Sequence, residues 1–154
     1  MPLDTKSFDL FRSLPLRPER MFNVLTQAKY RDAWNGPDAD TPVETVSSDL
    51  RVGGEDLQRC GPADAPAFEV TTKWFHLAAP ERVVYTETLF FGGEAACTSL
   101  VTYNLMPEGT GTALGITVAV SSFTGPETLP EVQQGWEGGL ENLSRYCAQL
   151  NADA

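Results

Sequence analysis

Tyr85 and Glu87 stand two residues apart in a run, Arg82 to Phe91, that reads as a β-strand, so their side chains share one face. A glutamate on a buried face loses hydration and its pKa rises. It then becomes a candidate general acid or base, or an anchor for a polar ligand group. Lys73, on the preceding run, would pair with Glu87 if the turn from Ala78 to Arg82 closes symmetrically about Pro80. A solvent-facing Glu–Lys pair is the alternative. Val84, Thr86, Thr88 and Phe90 compete for the inside, which leaves the strand's phase open. His76, the only histidine, is expected on the same strand face as Trp74. As a catalytic base it needs an orienting carboxylate and a nucleophile. Ser99 and Ser121 are present, but no spacing joins them to it, so a satisfied or part-exposed histidine is expected. Cys60, Cys97 and Cys147 lack the flanking cations that lower a thiol pKa. With no C-x-x-C pair and one histidine, no metal site is expected, and no cofactor.

The elements that must position these groups are legible in outline. Phe8 to Leu16 alternates with period two and predicts a strand. Pro18 opens a helix with Glu19 in its first turn and Met21, Phe22 and Leu25 on its apolar face. A second short helix, Lys29 to Trp34, stops at Asn35-Gly36-Pro37. Trp34 is placed at the rim of any pocket. Six strands follow: Thr41 to Ser47, Glu55 to Cys60, Phe68 to Leu77, Arg82 to Phe91, Cys97 to Met106 and Thr112 to Ser122. The last four are joined by short, turn-rich connections, so neighbours are expected to pair as antiparallel hairpins.

After Gly125-Pro126, apolar residues fall at Leu129, Val132, Trp136, Leu140, Leu143, Cys147 and Leu150, one stripe of a long helix. Such a stripe must be buried against the sheet, a layout that often leaves a cavity between the two. Trp136 at its centre is either core or a wall for a flat ligand. A glycine inside a helix costs about 1 kcal/mol relative to alanine, so Gly135, Gly138 and Gly139 need a reason. At 100° per residue Gly135 and Gly139 flank the stripe, for close approach to a strand or for ligand space. Gly138 falls on the opposite face, where nothing in the pattern explains it.

At 154 residues with 42% hydrophobic content, the chain reads as one globular domain, 1–154. A net charge of -10 with 11 Lys and Arg argues against nucleic acid and against anionic membranes. Three scattered cysteines fit a reducing compartment, Met1 to Ser7 lacks a signal-peptide core, and no run approaches membrane-spanning length. The expected localisation is cytoplasmic.

The order of elements and the residues at their joints resemble the START-like (SRPBCC) superfamily, in the branch of heat-shock-protein ATPase activator homologues. The resemblance is carried by Pro18-Glu19-Arg20-Met21-Phe22-Asn23-Val24-Leu25-Thr26, Trp34-Asn35-Gly36-Pro37 and Asp49-Leu50-Arg51-Val52-Gly53-Gly54. It continues through Ala79-Pro80-Glu81-Arg82-Val83-Val84-Tyr85-Thr86-Glu87 and Gly109-Thr110-Gly111-Thr112 to Gly135-Trp136 and Leu140-x-x-Leu143. It implies an α+β helix-grip fold: a curved antiparallel sheet of about seven strands, in the order β-α-α-β-β-β-β-β-β-α, gripping the C-terminal helix. It also implies a pocket between sheet and helix, and it does not imply a reaction. After the paired glycines such proteins commonly alternate aromatic and basic residues, whereas this chain has Glu55-Asp56-Leu57-Gln58-Arg59-Cys60. If the family's phase holds, Asp56 and Gln58 face the pocket and make it more polar.

The expected function is therefore binding of a small hydrophobic or amphipathic molecule, with Trp34, Asp56, Gln58, Tyr85, Glu87, Trp136 and Leu140 around it. One alternative is an enzyme of polyketide-cyclase or hydrolase type, which requires at least two of Glu87, Asp56 and His76 to converge in the pocket. Another is a partner-binding role of the chaperone ATPase-activator kind. A homodimer through the open sheet face or an edge strand is left open.

Overall fold

The computed structural model describes residues 3–62 and 64–153. Met1 and Pro2 of the N-terminal stretch, and Ala154 at the end of the expected domain, lie outside the described residues. In chain order the elements are β1 (Thr5–Leu14), α1 (Pro18–Thr26), α2 (Ala28–Trp34), β2 (Val43–Ser47), β3 (Glu55–Cys60), β4 (Phe68–Ala78), β5 (Arg82–Phe91), β6 (Glu94–Glu108), β7 (Gly111–Ser122) and α3 (Thr128–Ala152). The strands form one sheet ordered β1-β7-β6-β5-β4-β3-β2. Every neighbouring pair is antiparallel. This is the α+β helix-grip arrangement expected from the sequence.

Alternation explains which face is covered. On β7, Leu114, Ile116, Val118 and Val120 are buried while Thr117, Ala119 and Ser121 between them are exposed. The β5–β6 hairpin turns on Gly92 and Gly93 alone, with φ of +59° and +84°, and pairs Phe91 with Glu94. Two positive φ values twist the loop in the hand of the strands, so β6 starts at Glu94 rather than at the expected Cys97.

The β4–β5 turn does close about Pro80, with Ala78 opposite Arg82 and His76 opposite Val84. A β-bulge at Phe75 then shifts the register by one, so that Trp74 faces Tyr85 and Lys73 faces Thr86. Two expectations are corrected by this one residue. Glu87 lies opposite Thr72, not Lys73. His76 leaves the face of Trp74: the indole is fully buried and the imidazole is exposed.

Candidate functional site

The register lays the inward side chains out in rows. Trp74, Tyr85, Val101, Val118 and Phe8 form an apolar row across β4, β5, β6, β7 and β1. The adjoining row is polar: Asp56 on β3, Thr72 on β4, Glu87 on β5 and Ser99 on β6. All four are buried. Beyond it lie Gln58, Val70, Leu89 and Cys97.

Four buried polar groups in a row need partners, and one end of the row has them. Arg31 on α2 is 1% exposed and donates to Asp56 Oδ2 and Thr72 Oγ1, both at 3.3 Å. Its guanidinium also lies over the rings of Trp74 and Tyr85, at 5.2 and 5.9 Å from the centroids. Asp56 Oδ1 accepts from Ser48 Oγ at 2.9 Å, the Asp49 N–H at 3.0 Å and Trp74 Nε1 at 3.3 Å. Gln58 accepts from Asn35 Nδ2 at 3.0 Å and donates to Thr45 Oγ1 at 3.3 Å. Both side chains face inward, yet both are consumed by internal bonds that tie α2 to β3. Tyr85 is likewise closed off, its hydroxyl 2.7 Å from that of Tyr103.

Glu87 differs. It is 9% exposed, and among the described residues its carboxylate has no hydrogen-bond or ion-pair partner. Burial raises its pKa above the usual glutamate value, and the charge of Arg31 offsets only part of the rise. The Ser99 hydroxyl, directly across the β5–β6 ladder, is buried without a partner as well.

The Glu87 carboxylate reaches a cavity of about 200 Å³ between the sheet and the first half of α3. Trp34, Phe68, Val70, Leu89, Val132 and Trp136 give it apolar walls, and Asn35, Thr128 and Glu131 add polar lining. Phe91, half-exposed and stacked on Phe68 at 5.4 Å, stands at its mouth with exposed Glu131. Cys97 also lines it, but burial, reinforced by the nearby Glu87 charge, pushes its thiol up to about 11. Burial likewise lifts Cys60 and Cys147 to about 12, so none of the three offers a ready thiolate.

The glycines of α3 explain how the helix makes room. The loop after α2 folds over this part of α3, so the face opposite the sheet is not free. A Cβ on Gly138 would lie 1.8 Å from the Pro37 carbonyl oxygen, and one on Gly139 would lie 3.2 Å from that of Gly36. Gly138, on the face away from the sheet, is thus the tightest contact of the three, because its partner is the loop rather than the sheet. Close packing is against a loop, not a strand. Gly135 is different: its Cβ would meet only Pro37 Cβ at 3.9 Å, and it lines the cavity. One turn on, Asn142 Nδ2 donates to the carbonyls of Trp34, Gly36 and Asp38 at 3.3, 3.3 and 2.8 Å.

With this geometry in place, comparison with known proteins becomes specific. Residues 15–148 match the family described as Activator of Hsp90 ATPase homolog 1-like protein. The chain belongs to that family. Among solved structures, this family member is similar to the Mll3558 protein of Rhizobium loti, with 27% identity, coverage of 92% of this chain and 96% of that one, and a TM-score of 0.79. It also resembles a Rhizobium leguminosarum protein at 20% identity, 94% and 95% coverage and a TM-score of 0.81. The CV1439 protein of Chromobacterium violaceum follows at 22%, 90% and 95%, with a TM-score of 0.75. The last two share the fold. No curated protein matches the sequence.

Of the residues expected around a ligand, the family fold brings Trp34, Glu87 and Trp136 to the cavity. Asp56, Gln58, Tyr85 and Leu140 are packed beside or beneath it and do not line it. The enzyme alternative asked for two of Glu87, Asp56 and His76 to converge. Glu87 alone reaches the cavity, Asp56 is saturated, and His76 is exposed on the other face of the sheet. Among the described residues no group of three or more His, Cys, Asp or Glu could hold a metal ion. Arg31 was missed, although it had a signal. It lies three residues before Trp34 on one short helix and therefore on the same buried face.

Proposed function

We propose that this protein binds a small, mainly hydrophobic molecule in the cavity between the sheet and the N-terminal half of α3. The observation that carries the proposal is the cavity itself: about 200 Å³, walled by two indoles and several apolar side chains, with buried Glu87, unpartnered among the described residues, on its lining. A cavity of about 150 Å³ is enough to hold benzene. Membership of a family that typically binds hydrophobic ligands supports the reading. In this view Trp34 and Trp136 are the flat walls, and Asp56, Gln58 and Tyr85 hold those walls in place from behind. The three buried, unpaired cysteines fit a single domain working in a reducing cytoplasm. Native mass spectrometry of freshly purified protein tests the proposal. A stoichiometric mass adduct below about 300 Da is expected, a size set by the pocket. A chain that carries no adduct, and whose tryptophan fluorescence is unmoved by a panel of small aromatic compounds, overturns it.

A further inference from the structure

The proposed binding role leaves open the chemistry of the molecule bound, and the lining of the cavity restricts it. The side chains lining it include two carboxylates, Glu87 and Glu131, and no Lys, Arg or His. The nearest buried cation, Arg31, is already spent on Asp56 and Thr72. Glu87 is therefore a nine-tenths buried acceptor with no donor, and the buried Ser99 hydroxyl across the ladder is unpartnered too. Buried polar groups without a partner are rare in folded proteins, and of these two Glu87 lies on the cavity lining, where a ligand can supply one. The aromatic side chains of Trp34, Trp136, Phe68 and Phe91 line the same space. Aromatic faces attract cations as well as apolar groups.

Resting on the binding role proposed above, we propose that the cavity takes an organic amine in its ammonium form, its apolar body between Trp34 and Trp136 and its nitrogen on the Glu87 carboxylate. A primary ammonium has three N–H donors, enough for both carboxylate oxygens and a further acceptor. A bound cation also removes the reason that an ionised Glu87 is costly, which is burial without a counter-charge. An anionic ligand would meet like charge at Glu87 and again at Glu131 at the mouth. The formal net charge of -10 raises the local concentration of cations around the whole molecule.

Four probes of one shape test this on the full chain by titration calorimetry: benzylamine, benzyl alcohol, toluene and benzoate. Benzylamine is expected to bind at least about tenfold more tightly than benzyl alcohol, with benzoate weakest. In Glu87→Gln, benzylamine is expected to fall to the level of benzyl alcohol. Gly135→Leu places a side chain in the cavity and should abolish benzylamine binding, which covers the case in which Glu87→Gln fails to fold. The proposal is overturned if benzyl alcohol equals benzylamine in the wild type, or if the amine preference survives Glu87→Gln. Toluene and benzyl alcohol binding without an amine preference sinks this inference and leaves the hydrophobic cavity standing. Failure of all four to bind sinks both.

Discussion

The two halves of α3 meet the same sheet and do opposite things. From Leu140 onward, Leu140, Leu143 and Cys147 are almost fully buried in the core, with Cys147 Sγ 3.5 Å from Met21 Sδ. Before it, Thr128, Glu131, Val132, Gly135, Trp136 and Gly139 line the cavity, although Trp136 also meets Tyr103 edge-on at 6.4 Å. The helical period is the same in both halves, so the stripe alone does not separate them. Residue size and the sheet beneath do. The second half carries Leu and Cys into the core, where Cys147 meets Met21, and the first carries glycines along the cavity that Glu87 also lines. One helix can thus be half core and half cavity wall, with its stability concentrated in the half that is filled.

The largest test strikes the polar end. Arg31→Met leaves Asp56 buried without its counter-charge and should cost about 3–5 kcal/mol in urea denaturation. Adding Asp56→Asn should recover part of that loss. A cost below about 1 kcal/mol would mean that the ion pair does not hold the cavity end together.

Truncations along α3 probe the contrast directly. Leu143→Ala should cost about 2–5 kcal/mol, whereas Val132→Ala, next to existing space, should cost below about 1.5 kcal/mol. Equal losses would erase the distinction between the halves.

The glycines sharpen it further, because two neighbouring substitutions should have opposite signs. Gly138→Ala drives a methyl into the Pro37 carbonyl and should cost about 1–3 kcal/mol. Gly135→Ala has room and should stabilise by up to about 1 kcal/mol, read as a rise in melting temperature.

The smallest effect concerns pH. The folded-state pKa of Glu87 is raised, so its contribution to stability is fully present below the ordinary glutamate value of 4.5 and is lost as pH rises through the raised value. Glu87→Gln has no charge to bury. Its stability relative to the wild type should therefore increase from pH 4 to pH 7, by denaturant titration at each pH. A difference that stays flat would mean that the carboxylate finds a partner.

The fold was readable because its signals are redundant: alternation in β7, glycine turns at Gly92 and Gly109, and a stripe seven residues strong in α3. The site was readable only in part, because it depends on register. A single bulge at Phe75 moved Lys73 away from Glu87 and turned His76 outward, and nothing in the alternation near Phe75 announces an extra residue. The family's phase put Asp56 and Gln58 toward the pocket; both are buried, but neither lines the cavity. That phase says nothing about whether an inward polar group is free or already satisfied, which is decided by Arg31 and Asn35 from another element. Gly138 was opaque for a similar reason: its contact is with a loop more than a hundred residues away in the chain.

The Asn142 amide that holds three carbonyls of the loop after α2 has a mechanical consequence. With the Gly138 contact beside it, it clasps that loop to the helix. Under the binding role proposed above, a ligand would enter past Phe68, Phe91 and Glu131, where an exposed ring stands beside the cavity. That proposed entry would then depend on the Phe91 ring rather than on the opening of the fold.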